Sequence, residues 1–280
     1  MATRREIFNK LYNAASQLYD AGEARQIAEM LTLAKGNISR NDLIVEPNIE
    51  LEISDLDTII AELHSWRPVQ YIIGYADFRD MELEVDEGVL IPRPETEELV
   101  EWIASETPEG ATILDVCTGS GAIAIALNRE VKNSKVWGMD ISRQALDIAH
   151  NNGSRYAPDI TFVEGDVLRD FDTLFEQKFD VIVSNPPYIP TSDLELMRRN
   201  VVDYEPSIAL IVPDDNPLIF YRCIARTSKR LLNSAGKLYF EIYERLSHEM
   251  IEMLEREGYS DIILRDDFRG KPRMICATLR

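Results

Sequence analysis

The sequence contains few cysteines and histidines, which limits both disulfide and metal chemistry. Among 280 residues there are three of each, namely Cys117, Cys223, Cys276, His64, His150 and His248. The cysteines are odd in number and far apart, and none stands at a metal-ligand spacing from a histidine. We therefore expect a reducing compartment, no disulfide framework and no metal site.

Signals for membrane insertion and secretion are absent as well. No apolar run reaches the roughly 20 residues needed to cross a bilayer. The N-terminal stretch "MATRREIFNK" is basic but lacks the apolar region of a secretory signal. These observations predict a cytoplasmic protein without a membrane partner.

Positive charge is scarce too. The 30 lysines and arginines are outnumbered by 49 aspartates and glutamates, so the formal net charge is -19. Proteins that bind nucleic acid through its phosphates usually present a basic face. The charge therefore predicts no direct nucleic-acid partner. The length and the hydrophobic fraction of 45% suffice for one large domain or two modest ones.

The N-terminal part of the sequence has helical periodicity. Residues 4–20 and 23–35 place apolar side chains on one face, and a third helix is predicted to start at Ser54 with Asp57 as its capping partner. Residues 70–91 alternate and contain an acidic turn at residues 86–88, which predicts a β-hairpin or a linker. We thus predict a small helical domain over 1–70, a hairpin linker over 71–92 and a larger domain over 93–280.

Strands and helices alternate from residue 111 onward. The predicted strands are "TILDV", "KVWGMD", "ITFVEGD", "FDVIVSN", "GKLYFEI" and "DIILRDD". This alternation predicts an α/β domain whose mostly parallel sheet has helices on both faces. Residues 189–216 form a long proline-containing stretch between a strand and the next helix, which predicts a functional lid or, alternatively, a disordered insertion.

A glycine turn follows the first of these strands. In "LDVCTGSGAIAIAL", Gly119 and Gly121 make a tight strand-to-helix turn that lets a ligand approach the backbone. The spacing is not GxGxxG and no P-loop lysine follows, which disfavours NAD and nucleoside triphosphates. Asp140 and Asp166 end the next two strands, where carboxylates can accept ribose hydroxyls and an adenine edge, although either alone could be a helix N-cap. Together the three features resemble the S-adenosylmethionine-dependent methyltransferases of the Rossmann-like class.

The stretch "VSNPPYIP" (183–190) ends a buried strand with two prolines, which stop it from continuing. The Asn185 side-chain oxygen and the Pro186 carbonyl can accept both N–H groups of a planar amino group, so that its lone pair turns towards a methyl donor. Pro187 stiffens the loop, and Tyr188 can lie flat against a planar substrate. Such positioning contributes up to ~7–11 kcal/mol, and the fixed acceptors stabilise the positive charge that grows on nitrogen.

A closer resemblance rests on several motifs taken together. These are "VLIPRPETEELVEW" (89–102), "TGSGAIAIAL", "FDVIVSNPPYIP", "EPSIAL" (205–210), "YR" (221–222) and "DDFRGKPR" (266–273). They resemble the HemK/PrmC family, which methylates the glutamine side-chain amide in the Gly-Gly-Gln loop of class 1 peptide chain release factors. The resemblance implies a seven-stranded class I methyltransferase sheet with a reversed last hairpin, and a helical N-terminal domain that grips the release factor.

The resemblance also assigns the site residues and the cofactor, S-adenosylmethionine. Its cofactor contacts fall on Cys117, Thr118, Gly119, Ser120, Gly121, Asp140, Asp166, Val167 and Asn185, and its glutamine pocket falls on Asn185, Pro186, Pro187 and Tyr188. The chain departs from the family at three places. Cys117 stands where the family usually has glycine, "VPDDNPL" (212–218) replaces a Gly-Gly-x-Asp-Gly-Leu stretch, and "EIY" (241–243) replaces Glu-Ile-Gly.

Two other functions remain open from the residues alone. A DNA or RNA methyltransferase acting on adenine N6 or guanine N2 would use the same motif on a flipped-out base, although the charge of -19 disfavours it. A binding protein that kept the fold and lost catalysis is the other, although the glycine turn and the "NPPY" motif are both intact.

Overall fold

The structure of the chain is a computed structural model that describes residues 2–279, and it divides into two compact units. The first unit runs to Tyr75 and includes Met197–Tyr204. The second comprises Ala76–Leu196 and the residues from Glu205 onward. Within residues 2–279, no helix is both long enough and apolar enough to pass through a bilayer.

The first unit is mainly helical. Its elements up to residue 75 are β1 (Ala2–Thr3), α1 (Arg4–Ala15), α2 (Ala21–Gly36), α3 (Arg40–Val45), β2 (Glu50–Leu51), α4 (Leu56–His64) and α5 (Val69–Ile73). Thr3 and Ser39 open α1 and α3 with capping boxes, and Asp20 accepts two backbone N–H groups at the start of α2. The apolar faces of α1, α2 and α4 share one buried core.

The predicted start of the third helix at Ser54 is wrong. Helix α4 begins at Leu56, and its N-cap residue, Asp55, makes no side-chain capping hydrogen bond. The burial of Leu56 and Ile59 against α1 and α2 stabilises this helix without a cap.

A β-hairpin follows α5 and consists of β3 (Tyr75–Phe78) and β4 (Met81–Glu84). Its turn lies at Arg79 and Asp80, whose φ angles of 47° and 58° are left-handed. Two left-handed residues give the backbone twist that a two-residue hairpin needs. The acidic segment at residues 86–88 is therefore not the hairpin turn, and the true turn lacks the usual Asn-Gly signal.

The second unit is built on a seven-stranded sheet. After the hairpin its elements are α6 (Pro94–Glu106), β5 (Thr112–Val116), α7 (Ala122–Glu130), β6 (Lys135–Asp140), α8 (Arg143–Tyr156), β7 (Thr161–Glu164), β8 (Phe179–Ser184), β9 (Ile189–Pro190), α9 (Arg199–Val202, in the segment that belongs to the first unit), β10 (Ile211–Val212), α10 (Ile219–Leu231), β11 (Leu232–Glu241), α11 (Ser247–Arg256), β12 (Tyr259–Asp266) and β13 (Pro272–Leu279). The strand order in the sheet is β12-β13-β11-β8-β5-β6-β7.

The direction of the strands confirms the predicted fold class. Strands β11, β8, β5, β6 and β7 are parallel to one another, whereas β13 runs antiparallel to both β11 and β12. Successive residues of one strand belong to different cores: Ile113 packs with α6 and α7, and Leu114 packs with α10 and α11. Both faces are therefore buried, which explains why the central strands are continuously apolar.

Residues 189–216 contain short elements of secondary structure. Besides α9 there are 3₁₀ helices at Thr191–Leu196 and Ser207–Ala209. Strands β9 and β10 pair in parallel, and the backbone N–H groups of Tyr188 and Ile189 both donate to the Leu210 carbonyl, at 3.2 and 2.9 Å. The Ser192 N–H donates to the Asp214 carboxylate at 2.9 Å. The two ends of this stretch are thus joined directly beside the "NPPY" motif.

Candidate functional site

A cavity lies at the carboxyl ends of the parallel strands of the second unit, which is the usual ligand position in such sheets. It brings together most of the residues predicted for the site: Cys117, Thr118, Gly119, Ser120, Asp140, Asp166, Val167, Asn185 and Pro187. Gly121, Pro186 and Tyr188 do not line it.

The turn between β5 and α7 is left-handed at three positions. Cys117, Gly119 and Gly121 have φ angles of 63°, 56° and 82°. A Cβ atom at Gly119 would meet no protein atom within 4 Å, so a ligand can approach this backbone closely. At Gly121 a Cβ atom would lie 3.1 Å from Ile125 and 3.3 Å from Phe162. Glycine is therefore needed at residue 121 for packing and at residue 119 for access.

Cys117 is the one position of this turn where a side chain occupies the left-handed region. For a residue with a Cβ atom this conformation costs roughly 1–2 kcal/mol. Burial, together with the nearby Asp140 carboxylate, raises the pKa of the Cys117 thiol well above its usual value. The thiol is therefore protonated and is not a nucleophile.

Asp140 connects the turn to the end of β6. Its two carboxylate oxygens accept the backbone N–H groups of Gly119 and Ser142, both at 2.9 Å. Burial raises the pKa of Asp140, and these backbone hydrogen bonds counteract the rise. Each carboxylate oxygen can accept more than one hydrogen bond, so the contacts orient the group and leave acceptor capacity for a ligand.

Asp115 was not predicted as part of the site. It is fully buried, and its Oδ2 atom accepts hydrogen bonds from the Thr118 hydroxyl at 2.5 Å and from the Ala124 N–H at 3.2 Å. Its Oδ1 atom has no hydrogen-bond partner within residues 2–279. Burial raises the pKa of Asp115 to about 7, and the charge of Asp140 adds to the rise. The signal in the sequence was an acid inside the apolar strand "TILDV".

Asp166 and Val167 line the cavity from the end of β7. The Asp166 carboxylate accepts the Leu168 N–H at 2.8 Å and lies 3.3 Å from the Arg169 guanidinium. Val167 is buried, and its carbonyl accepts the Cys223 thiol at 2.9 Å. The carboxylate thus serves a local turn, and its contact with an adenine edge stays a prediction.

Asn185 stands at the end of β8. The hydroxyl of the preceding residue, Ser184, donates to the Val116 carbonyl of β5 at 2.6 Å and fixes the two strand ends side by side. Pro186 and Pro187 are buried, so the loop after Asn185 is packed. Tyr188 does not line the cavity: its hydroxyl donates to Glu241 at 3.2 Å, and its ring stacks on Tyr243.

A further wall of the cavity comes from two motifs that had been given no role. Pro92, Arg93 and Thr96 belong to "IPRPETE", and Pro206, Ile208 and Ala209 belong to "EPSIAL". Arg93 donates to Glu205 at 2.6 Å, and the Glu205 side chain is only 1% exposed. Burial raises the pKa of Glu205, and the Arg93 charge counteracts it. This ion pair holds the two segments together at the cavity.

Comparisons with known proteins match both parts of the chain. The model of a family described as "PrmC N-terminal domain" matches residues 10–74, and that of a family described as "Methyltransferase domain" matches residues 113–203. A release factor glutamine methyltransferase of Flavobacterium psychrophilum is 38% identical over 275 residues, covering 95% of this chain and 96% of that protein. One of Bacteroides thetaiotaomicron is 40% identical over 263 residues, covering 93% and 94%.

Solved structures share the fold at lower identity. The crystal structure of a methyltransferase from Pyrococcus furiosus superposes with a TM-score of 0.53 at 18% identity, covering 80% of this chain and 98% of that one. At this identity the likeness concerns the fold of the chain and not its substrate.

Proposed function

Because the chain belongs to the family of release factor glutamine methyltransferases, we propose that it transfers a methyl group from S-adenosylmethionine to a release factor. The acceptor is the side-chain amide nitrogen, N5, of the glutamine in the Gly-Gly-Gln motif. One observation carries the proposal: the open backbone at Gly119, the carboxylate of Asp140 and the amide of Asn185 all line a single cavity.

The residues of this cavity fit an adenosine and an amino-acid tail. Asp140 offers carboxylate oxygens to ribose hydroxyls, and Ile141 and Val167 provide an apolar surface for a purine ring. The backbone at Gly119 is open to close approach by a ligand, and S-adenosylmethionine has no phosphate that would require a phosphate-binding loop there. When bound, S-adenosylmethionine supplies a methyl group on a positively charged sulfur.

Asn185 and Pro186 would hold the glutamine amide for this transfer. An amide nitrogen is a poor nucleophile because its lone pair is delocalised. Two fixed acceptors for its N–H groups favour a pyramidal nitrogen and stabilise the charge that develops on it. A strong base is not required, since an N-methylated cation loses its proton readily. In keeping with this, burial raises the pKa values of Tyr188 and Cys117, so both stay protonated.

The helical first unit is the proposed site of release-factor recognition, over residues 1–70. In support of this assignment, the family described as "PrmC N-terminal domain" matches residues 10–74, which lie in this unit. The charge of -19 also favours a protein over a nucleic acid as the direct partner. With a translation factor as substrate, the proposed compartment is the cytoplasm.

Mass spectrometry of a purified release factor tests the proposal. The factor is incubated with the protein and S-adenosylmethionine, then digested and mapped, with the Asn185→Ala variant as the control. We expect a gain of one methyl group on the Gly-Gly-Gln glutamine with the wild type only. No gain on the factor, with label in added DNA or ribosomal RNA instead, would refute the substrate and favour a nucleic-acid methyltransferase.

A further inference from the structure

Side chains from several motifs meet at Glu241, next to the hydroxyl of Tyr188. Thr96 comes from "IPRPETE", Tyr221 from "YR" and Glu241 from "EIY". Thr96 is 145 residues from Glu241 along the chain and Tyr221 is 20 residues from it, yet both donate a hydrogen bond to Glu241. The fold thus assembles a polar cluster behind the "NPPY" loop.

Glu241 is the centre of this cluster. It is 1% exposed. Its Oε2 atom accepts the Thr96 hydroxyl at 2.6 Å, and its Oε1 atom accepts the Tyr188 hydroxyl at 3.2 Å. Its backbone carbonyl accepts the Tyr221 hydroxyl at 3.0 Å. A carboxyl group in a core is unfavourable unless its oxygens are satisfied, and here both of them have hydroxyl partners.

Arg273 supplies the compensating charge. Burial raises the pKa of Glu241, whereas the Arg273 guanidinium and the Thr96 and Tyr188 hydroxyls lower it. Arg273 is itself held by Asp267 at 3.3 Å and by the Ile242 carbonyl at 3.4 Å. Thr96 also lines the cavity, whereas Glu241 and Arg273 do not, so the carboxylate and its compensating charge lie behind the cavity wall.

Tyr243 covers one face of the Tyr188 ring. The two ring centroids are 6.0 Å apart and the planes differ by 16°. The Tyr243 hydroxyl donates to Asp193 at 2.5 Å, which ties it to the 3₁₀ helix that follows β9. Tyr188 is therefore bounded on a ring face by Tyr243 and at its hydroxyl by Glu241.

We propose that Glu241 is a positioning residue that acts through Tyr188. The hydrogen bond to Glu241 fixes the rotation of the ring, so that Tyr188 keeps one orientation beside the acceptors at Asn185 and Pro186. Transfer to a planar amide depends on such alignment, because small displacements of a positioned group cost large factors in rate. This inference rests on the proposed function.

A double-mutant cycle between Glu241 and Tyr188 tests the inference. Glu241→Met keeps the volume and removes the acceptor, and Tyr188→Phe removes the donor. Each is expected to lower kcat for the release factor about 10- to 100-fold, the worth of a hydrogen bond to a charged group. The dissociation constant of S-adenosylmethionine should stay within about threefold, because a tenfold change would require a loss of about 1.4 kcal/mol in the contacts of the cavity itself.

The two losses should not multiply. In the Tyr188→Phe background, Glu241→Met is expected to have little further effect on kcat, because the contact through which it acts is already gone. Glu241→Gln should restore kcat to within about threefold of the wild type, since its carbonyl oxygen still accepts the Tyr188 hydroxyl. Tyr239, which like Glu241 belongs to β11, provides the matched control. Its hydroxyl donates to Glu106 at 3.0 Å, and Tyr239→Phe should leave kcat unchanged.

Two results would overturn the inference. Multiplicative losses in the double variant would show that Glu241 supports the fold and not Tyr188. Wild-type kcat in Tyr188→Phe, which keeps the ring, would also overturn the inference, and this result can be obtained even if Glu241→Met fails to fold. A wild type that leaves the release factor unmethylated instead refutes the proposed function, and the cycle is then run with the DNA or ribosomal RNA that takes up label.

Discussion

The two glycines of the turn between β5 and α7 should respond differently to the same substitution. Alanine in the left-handed region costs roughly 1–2 kcal/mol, and the lower entropy of the unfolded chain returns about 0.4–1 kcal/mol. Gly119→Ala adds no contact within 4 Å, so its net loss of stability is about 1 kcal/mol. Gly121→Ala also places a Cβ atom 3.1 Å from Ile125 and 3.3 Å from both Ala149 and Phe162. Such overpacking adds about 1–3 kcal/mol.

Gly119→Ala should weaken cofactor binding more than Gly121→Ala does, although it destabilises the fold less. A methyl group at residue 119 occupies open space in the cavity, whereas Gly121 does not line it. We expect Gly119→Ala to raise the dissociation constant of S-adenosylmethionine about tenfold or more, equivalent to at least ~1.4 kcal/mol. Gly121→Ala should change it by less than about threefold while the protein is folded.

Calorimetric titration and thermal unfolding measure the two effects on the same samples. At about 2–4 °C for each kcal/mol in a domain of this size, Gly121→Ala should melt several degrees below Gly119→Ala. The Cys117→Gly variant is the matched control, because it changes the same turn and removes left-handed strain instead of adding it. Equal melting temperatures in the two alanine variants, with unchanged binding in Gly119→Ala, would refute this account of the turn.

Four further predictions concern single side chains. Asn185→Ala should abolish transfer in the mass-spectrometric assay while cofactor affinity stays within about tenfold; near wild-type transfer would remove its acceptor role. Asp140→Ala should raise the cofactor dissociation constant about 10- to 100-fold in calorimetry, and unchanged binding would exclude it from the site. Because the pKa of Asp115 is raised to about 7, the folded state binds this proton more tightly than the unfolded state, and the free energy of unfolding falls as pH rises from about 4 to about 7. Asp115→Asn removes this loss, so in denaturant titrations it should gain stability relative to the wild type between about pH 5 and pH 8, and parallel pH profiles would argue against the raised pKa. Arg93→Met leaves Glu205 buried without its cation and should cost about 2–4 kcal/mol; adding Glu205→Gln should recover most of this loss in the same titrations, and no recovery would contradict the ion-pair account.

The departures from the family pattern have structural counterparts. Cys117 adopts the left-handed conformation that glycine would take without strain. In the stretch 212–218, Asp214 accepts the Ser192 N–H and Leu218 is buried. Tyr243 fills the position of a glycine with a ring that stacks on Tyr188. Each departure is thus accommodated beside the site without displacing Asp140 or Asn185 from the cavity.

Local patterns in the sequence determined the order of strands and helices and the chemistry at the strand ends. The parallel sheet follows from alternating elements, and a parallel sheet brings its carboxyl ends to one edge. This is why Gly119, Asp140 and Asn185 could be assigned to one site while 66 positions separate the first from the last along the chain. The hairpin turn at Arg79 and Asp80 was missed because its left-handed backbone has no Asn-Gly signal.

Only the tertiary structure decided which side chains support that site. Thr96 and Glu241 are 145 residues apart, and Arg93 and Glu205 are 112 apart, so no local pattern links them. The same holds for the hydroxyl of Tyr188, which donates to a buried carboxylate, while the contact of its ring with a planar substrate stays a prediction. A buried acid takes whichever donors the packed core brings within reach, because leaving it unsatisfied is costly. The sequence alone therefore determined where the candidate site lies in the chain, and the packing of distant segments determined how its residues are held.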